Sequence, residues 1–175
     1  MTLIVYSENT LYADDCIVIS EGHYNARLST AQKLILSACK RVAIAFLGGL
    51  PTGVELELIR NIVCTRIIAK ETGQDADFKL DPELVKAITD NGSTSFFALT
   101  RKNCYELRED FNPVILNPQM DAAWGTGSSS YFLCRNAGLT NLQAYKQVSC
   151  VTRTVSNKIT SFKAANLKPI AVTKT

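Results

Sequence analysis

The stretch Met1-Thr2-Leu3-Ile4-Val5-Tyr6-Ser7-Glu8-Asn9-Thr10-Leu11-Tyr12-Ala13-Asp14-Asp15 reads as a β-hairpin. Leu3 to Tyr6 is a short apolar strand, Ser7-Glu8-Asn9 a polar turn, and Thr10 to Ala13 a second strand. Chain termini are usually loosely held because few contacts order them. A start that runs straight into a sheet therefore raises the question of what its first residues are for.

Working outward, Cys16-Ile17-Val18-Ile19 continues as a strand, and the polar segment Ser20 to Thr30, which contains His23, reads as a loop. Lys33-Leu34-Ile35-Leu36 and Val42-Ala43-Ile44-Ala45-Phe46 make a second hairpin across Ser37 to Arg41. Beyond Gly48-Gly49 the period changes. Val54, Leu58, Ile59, Ile62, Val63, Ile67 and Ile68 recur at helical spacing, with Thr52 as a candidate N-cap and Gly73 as the stop. Asp81-Pro82-Glu83 opens a shorter helix that closes at Asn91-Gly92. Strands return at Ser95 to Thr100, Cys104 to Arg108 and Val114 to Leu116. A helix then carries Tyr131 to Cys134 and ends near Gly138. Thr140-Asn141-Leu142-Gln143 has capping-box spacing for another helix, expected to bury Leu142, Tyr145, Val148 and Val151. Lys158 to Phe162 and Pro169 to Val172 read as closing strands.

Hairpins between helices favour antiparallel sheets. The economical packing is an α+β fold of two mostly antiparallel sheets face to face with helices outside, a four-layer αββα sandwich. At 175 residues the chain is expected to form one domain, 1–175, burying roughly two-thirds of its unfolded surface.

Nineteen basic and sixteen acidic residues leave a net charge of +3, too slight for a nucleic-acid partner. The longest apolar run, Val42 to Leu47, is far short of a membrane span, and the N-terminal residues lack the pattern of a signal peptide. A cytoplasmic protein is expected. The six cysteines, Cys16, Cys39, Cys64, Cys104, Cys134 and Cys150, are widely spaced, with no C-x-x-C pair and only His23 to join them, so reduced thiols are expected and no metal site.

Thr2 behind the first Met, Leu11-Tyr12-Ala13-Asp14-Asp15, Lys33 at the start of a strand, and Val42-Ala43-Ile44-Ala45-Phe46-Leu47-Gly48-Gly49 before a long helix form an ordered set. Ala123-Trp124-Gly125-Thr126-Gly127-Ser128 and the helix Thr140 to Arg153 complete it. In these features the chain resembles proteasome β subunits, and above all the HslV-type peptidases, over nearly its whole length. That resemblance implies the sandwich of the N-terminal-nucleophile (Ntn) hydrolases, which agrees with the layers read from the pattern alone.

The resemblance also implies a chemistry. With Met1 removed, Thr2 would be both nucleophile and, through its α-amine, general base. Lys33 would disfavour the charged form of that amine, and Asp15 would hold the Lys33 charge in place. The Gly48 N–H would face the developing oxyanion, and Thr126 stands where the family has a serine. The implied reaction is threonine-type peptide hydrolysis by a homo-oligomer, a ring or similar, on peptide or unfolded-protein substrates, requiring no metal or organic cofactor.

A second reading stays beside this one. The family has an Asp near the end of its last helix, whereas here Val151-Thr152-Arg153-Thr154-Val155-Ser156 contains no carboxylate. The alternative is a catalytically inactive Ntn-like scaffold subunit, for example of a phage particle. A Ser-His site built on His23 is the poorest reading, because the G-x-S-x-G elbow is absent.

Overall fold

The computed structural model describes residues 3–14, 16–21, 25–30, 33–47, 53–74, 80–81, 95–107, 110–151 and 158–170. The first hairpin is present as read, with β1 at Ile4–Ser7 and β2 at Thr10–Asp14. Glu8 and Asn9 between them both have positive φ, 50° and 56°. A two-residue turn of that hand matches the right-handed twist of the paired strands, and Asn tolerates the conformation well.

Eleven strands are described. β3 (Cys16–Glu21) and β4 (Asn25–Thr30) form a two-stranded antiparallel ribbon, which corrects the loop expected over Ser20 to Thr30. These strands pair only with each other in the described sheets, so Asn25-Ala26-Arg27-Leu28-Ser29-Thr30 needs no alternating apolar face. β5 (Leu34–Leu36) and β6 (Ala43–Leu47) make the second hairpin. They join β7 (Ser95–Leu99), β8 (Cys104–Leu107) and β9 (Pro113–Ile115) in a five-stranded antiparallel sheet ordered β5-β6-β7-β8-β9. The other main sheet has the order β10-β1-β2-β11, with β10 at Ala122–Trp124 and β11 at Ile159–Lys163. β10 is not among the strands expected from the sequence: its Ala122-Ala123-Trp124 has no β-branched residue and two alanines, which are poor strand formers. Pro169 and Ile170 lie outside any strand.

Period-two alternation sorts the layers. From β1, Ile4 and Tyr6 face the second sheet, where they meet Leu34, Ala43, Ala45, Phe97 and Leu99. Leu3 and Val5 face the other way, onto Tyr131, Ala144, Tyr145 and Val148. On the far side Val42, Ile44, Phe46, Phe96 and Ala98 pack against Ile59, Val63 and Ile67 of the helix α1 (Gly53–Thr72). Complete burial of each such Leu, Ile, Val or Phe contributes about 1.5–3 kcal/mol. The result is α1, five-stranded sheet, four-stranded sheet, and the helix pair α2 (Ser128–Asn136) and α3 (Asn141–Val151): the αββα sandwich.

The helix ends obey local chemistry. Gly73 (φ 80°) ends α1 with Gln74 N–H donating to Ala69 O and Gly73 N–H to Lys70 O. Gly138 (φ 87°) ends α2 in the same way, through Leu139 N–H to Cys134 O and Gly138 N–H to Arg135 O. The capping box forms: Gln143 N–H donates to Thr140 Oγ1 at 3.4 Å and Thr140 N–H to Gln143 Oε1 at 3.0 Å. Tyr145 and Val148 are buried, but Leu142 is 46% and Val151 61% exposed, against expectation. The sheet needs only one narrow stripe of a helix this short, and Asn141, Ala144, Tyr145 and Val148 fill it. The helix expected after Asp81 and the Thr52 cap lie outside the described residues.

Candidate active site

β1 is clamped at both ends by α3. At its far end, Asn141 Nδ2 donates to Ser7 Oγ at 2.6 Å and Tyr131 Oη to Asn141 Oδ1 at 2.8 Å. The Ser7 hydroxyl in turn donates to Asp121, whose other oxygen accepts from Arg135 Nε at 2.8 Å. At its near end, one helical turn further along α3, Tyr145 Oη donates to Leu3 O at 2.6 Å.

The same Leu3 peptide unit is held from the other side. Leu3 N–H donates to Asp14 Oδ1 at 3.1 Å, and Asp14 N–H donates to Leu3 O at 3.3 Å. Asp14 Oδ1 also takes Lys33 Nζ, at 3.2 Å. Lys33 is 4% exposed and Asp14 0%. A buried charge survives only when a partner offsets its desolvation, and each of these side chains supplies that for the other. Lys33 stands one residue before β5, and the register Leu34↔Ala45 puts it at the end of the sheet where β6 finishes at Leu47.

Lys33, expected beside the nucleophile, thus meets Asp14, a carboxylate that the sequence pattern did not single out. The carboxylate against Lys33 is Asp14; Asp15, expected in that role, lies outside the described residues, as do Thr2, Gly48 and His23. Gly48 follows Leu47 directly, so the described end of β6 leads to it. Thr126 is exposed on the turn between β10 and α2, and β10 pairs with β1 through Ile4↔Trp124. That turn therefore sits at the same end of the sheet as the start of β1. Among the described residues no cluster of three or more His, Cys, Asp or Glu side chains could hold a metal ion, and no helix is long and apolar enough to cross a membrane.

Two antiparallel sheets stacked between helices define the class by fold: this is the α+β sandwich of the proteasome-type Ntn hydrolases. Among solved structures the chain is similar to eukaryotic HslV from Trypanosoma brucei, at 15% identity and a TM-score of 0.58 over 92% of this chain and 97% of that one. It is similar also to Thiobacillus denitrificans BPH in complex with epoxomicin (13% identity, TM-score 0.53, 92% and 96% covered). Anbu, the ancestral beta-subunit from Yersinia bercovieri, matches at 9% identity and a TM-score of 0.56, with 92% and 80% covered. What is shared at these identities is the fold. No protein-family model and no curated protein sequence matches the chain.

Proposed function

We propose that the protein is a proteasome/HslV-like threonine peptidase whose nucleophile is Thr2, exposed as the N-terminal residue by removal of Met1. The observation that carries this reading is the buried Lys33–Asp14 pair, whose carboxylate also holds the N–H of Leu3, the residue next to Thr2. An ammonium there opposes protonation of a nearby α-amine and leaves it a base near neutral pH. The amine takes the Thr2 hydroxyl proton as Oγ1 attacks the peptide carbonyl. The Gly48 N–H stabilises the oxyanion, and the amine returns the proton to the departing nitrogen, leaving an ester on Thr2 that water cleaves. Asp14 holds Lys33 in place, the part that the resemblance gives to Asp15. Thr126 supplies a hydroxyl on the neighbouring turn.

Self-association belongs to this reading. Phe132, Leu133, Leu142 and Val151 are exposed on α2 and α3, with Leu133 at 70%, so the outer helical layer offers apolar side chains to another copy. The mass of the assembly in solution, by light scattering, tests this; a monomer at micromolar concentration contradicts it.

A scaffold role is the second reading, and the absence of a carboxylate from Thr152 to Ser156 favours it, since the amine then lacks an acidic support beyond α3. Intact mass and peptide hydrolysis separate the two. Loss of one methionine, turnover of an unstructured peptide, and an epoxomicin adduct that Thr2→Ala abolishes support the peptidase. Retained Met1, or turnover unchanged in Thr2→Ala, sinks it.

A further inference from the structure

We propose that Cys39 and Cys64 are a thiol–disulfide exchange site, at which a low-molecular-weight disulfide converts the pair into an intramolecular disulfide joining the β5–β6 turn to α1. This site is separate from the Lys33–Asp14 pair and needs neither Thr2 nor peptide hydrolysis.

Cys39 Sγ lies 3.8 Å from Cys64 Sγ, the contact distance of two sulfurs, although the residues are 25 apart in sequence. A disulfide requires the sulfurs to close from there to about 2.05 Å. The turn carrying Cys39 is built tightly. Ser37 N–H donates to Val42 O at 2.8 Å, Lys40 N–H to Ser37 O at 2.8 Å, and Val42 N–H to Ser37 Oγ at 3.1 Å. Lys168 N–H donates to Lys40 O at 2.9 Å and fixes the turn from outside. Cys64 is carried on the second half of the twenty-residue α1, whose Ile59, Val63 and Ile67 are locked into the core. Two rigid elements therefore present two thiols to each other, which removes most of the entropic cost of joining them.

The two sulfurs differ in character. Burial works against ionisation of Cys39, yet the Ser37 hydroxyl at 3.2 Å, the Arg41 backbone, the Cys64 thiol and the Arg41 charge together lower its thiol below the ordinary range. Cys64 is pushed up to about 11 by burial and then by the adjacent Cys39. Cys39, half-buried, is thus the attacking thiolate and Cys64 the resolving thiol. In the first step the Cys39 thiolate forms a bond to one sulfur of the small disulfide, and the other sulfur leaves as a thiolate that takes a proton. The repulsion of the Cys39 charge on Cys64 is then gone. Cys64 gives its proton to solvent, attacks Cys39 Sγ, and expels the second small thiolate, which is protonated in turn. One small disulfide becomes two thiols, and the protein loses two hydrogens.

The test exposes the full-length protein to oxidised glutathione, blocks remaining thiols with N-ethylmaleimide, and maps peptides by mass. The expected product is a Cys39–Cys64 cross-linked peptide that dithiothreitol reverses. Cys64→Ser should instead hold a stable glutathione adduct on Cys39, and Cys39→Ser should abolish cross-linking. Should a variant fail to fold, alkylation of the untreated wild-type protein decides: Cys39 should react with N-ethylmaleimide at least tenfold faster than Cys64. A wild-type protein that accumulates glutathione on Cys39 without cross-linking, or alkylates both at one rate, overturns the proposal.

Discussion

Lys33 Nζ and Asp14 Oδ1 meet at 3.2 Å with both side chains buried, and the same carboxylate oxygen accepts the Leu3 N–H at 3.1 Å. One carboxylate oxygen therefore ties the lysine that precedes β5 to the residue that precedes β1.

Removing the lysine leaves a carboxylate in the interior without that cation. Lys33→Met should cost about 3–5 kcal/mol of stability, the usual penalty for breaking a buried pair from one side. Lys33→Met with Asp14→Leu should recover only part of it, because the Leu3 N–H then loses its acceptor. Urea denaturation of both variants measures this; a loss under about 1 kcal/mol for the single variant would mean the pair is far better solvated than its burial implies.

Tyr145→Phe deletes only the hydroxyl that donates to Leu3 O at 2.6 Å. Leu3 O still accepts from Asp14 N–H, so the expected destabilisation is modest, about 0.5–1.5 kcal/mol. If Thr2 is the nucleophile, kcat should fall at least tenfold, well beyond what folding loss explains, since loosening Leu3 loosens its neighbour. Thermal denaturation and peptide turnover on the same sample separate the two effects.

Gly138→Ala should cost about 1–2 kcal/mol through the backbone alone. At φ 87° a Cβ is strained, although nothing lies within 4 Å of where it would stand. Gly138→Asn should cost less, since Asn enters the left-handed region more easily. Equal losses in both variants, read from urea midpoints, would contradict a conformational origin.

At alkaline pH the buried phenols should unfold the protein. Burial pushes Tyr6 and Tyr105 up to about 12, so both bind a proton more tightly folded than unfolded. Their contribution is complete below the ordinary phenol value near ~10 and is lost as pH rises from there through about 12. Urea midpoints between those pH values should fall steadily, with phenolate absorbance appearing together with unfolding. Phenolate signal from a protein that stays folded would contradict the assignment.

Apolar period by itself determined the two sheets, the long helix after β6 and the layer order, because a residue that alternates or recurs at helical spacing must find a partner face wherever it is placed. Residue identity marked the glycines at 73 and 138 and the Thr140–Gln143 cap, which depend on local backbone chemistry. The strand β4 and the short β10 escaped because β4 carries a single large apolar residue, Leu28, and β10 is two alanines and a tryptophan. That Asp14 meets Lys33 was decided only in three dimensions. In a strand, adjacent side chains point to opposite faces, so a slip of a single residue in register would carry the Asp14 carboxylate away from the core. The pairing Ile4↔Ala13 sets the β1–β2 register, and with it Asp14 reaches both Leu3 and Lys33. The approach of Cys39 to Cys64 has the same origin: nothing in their spacing signals it, and only the packing of α1 on the second sheet brings the two sulfurs together.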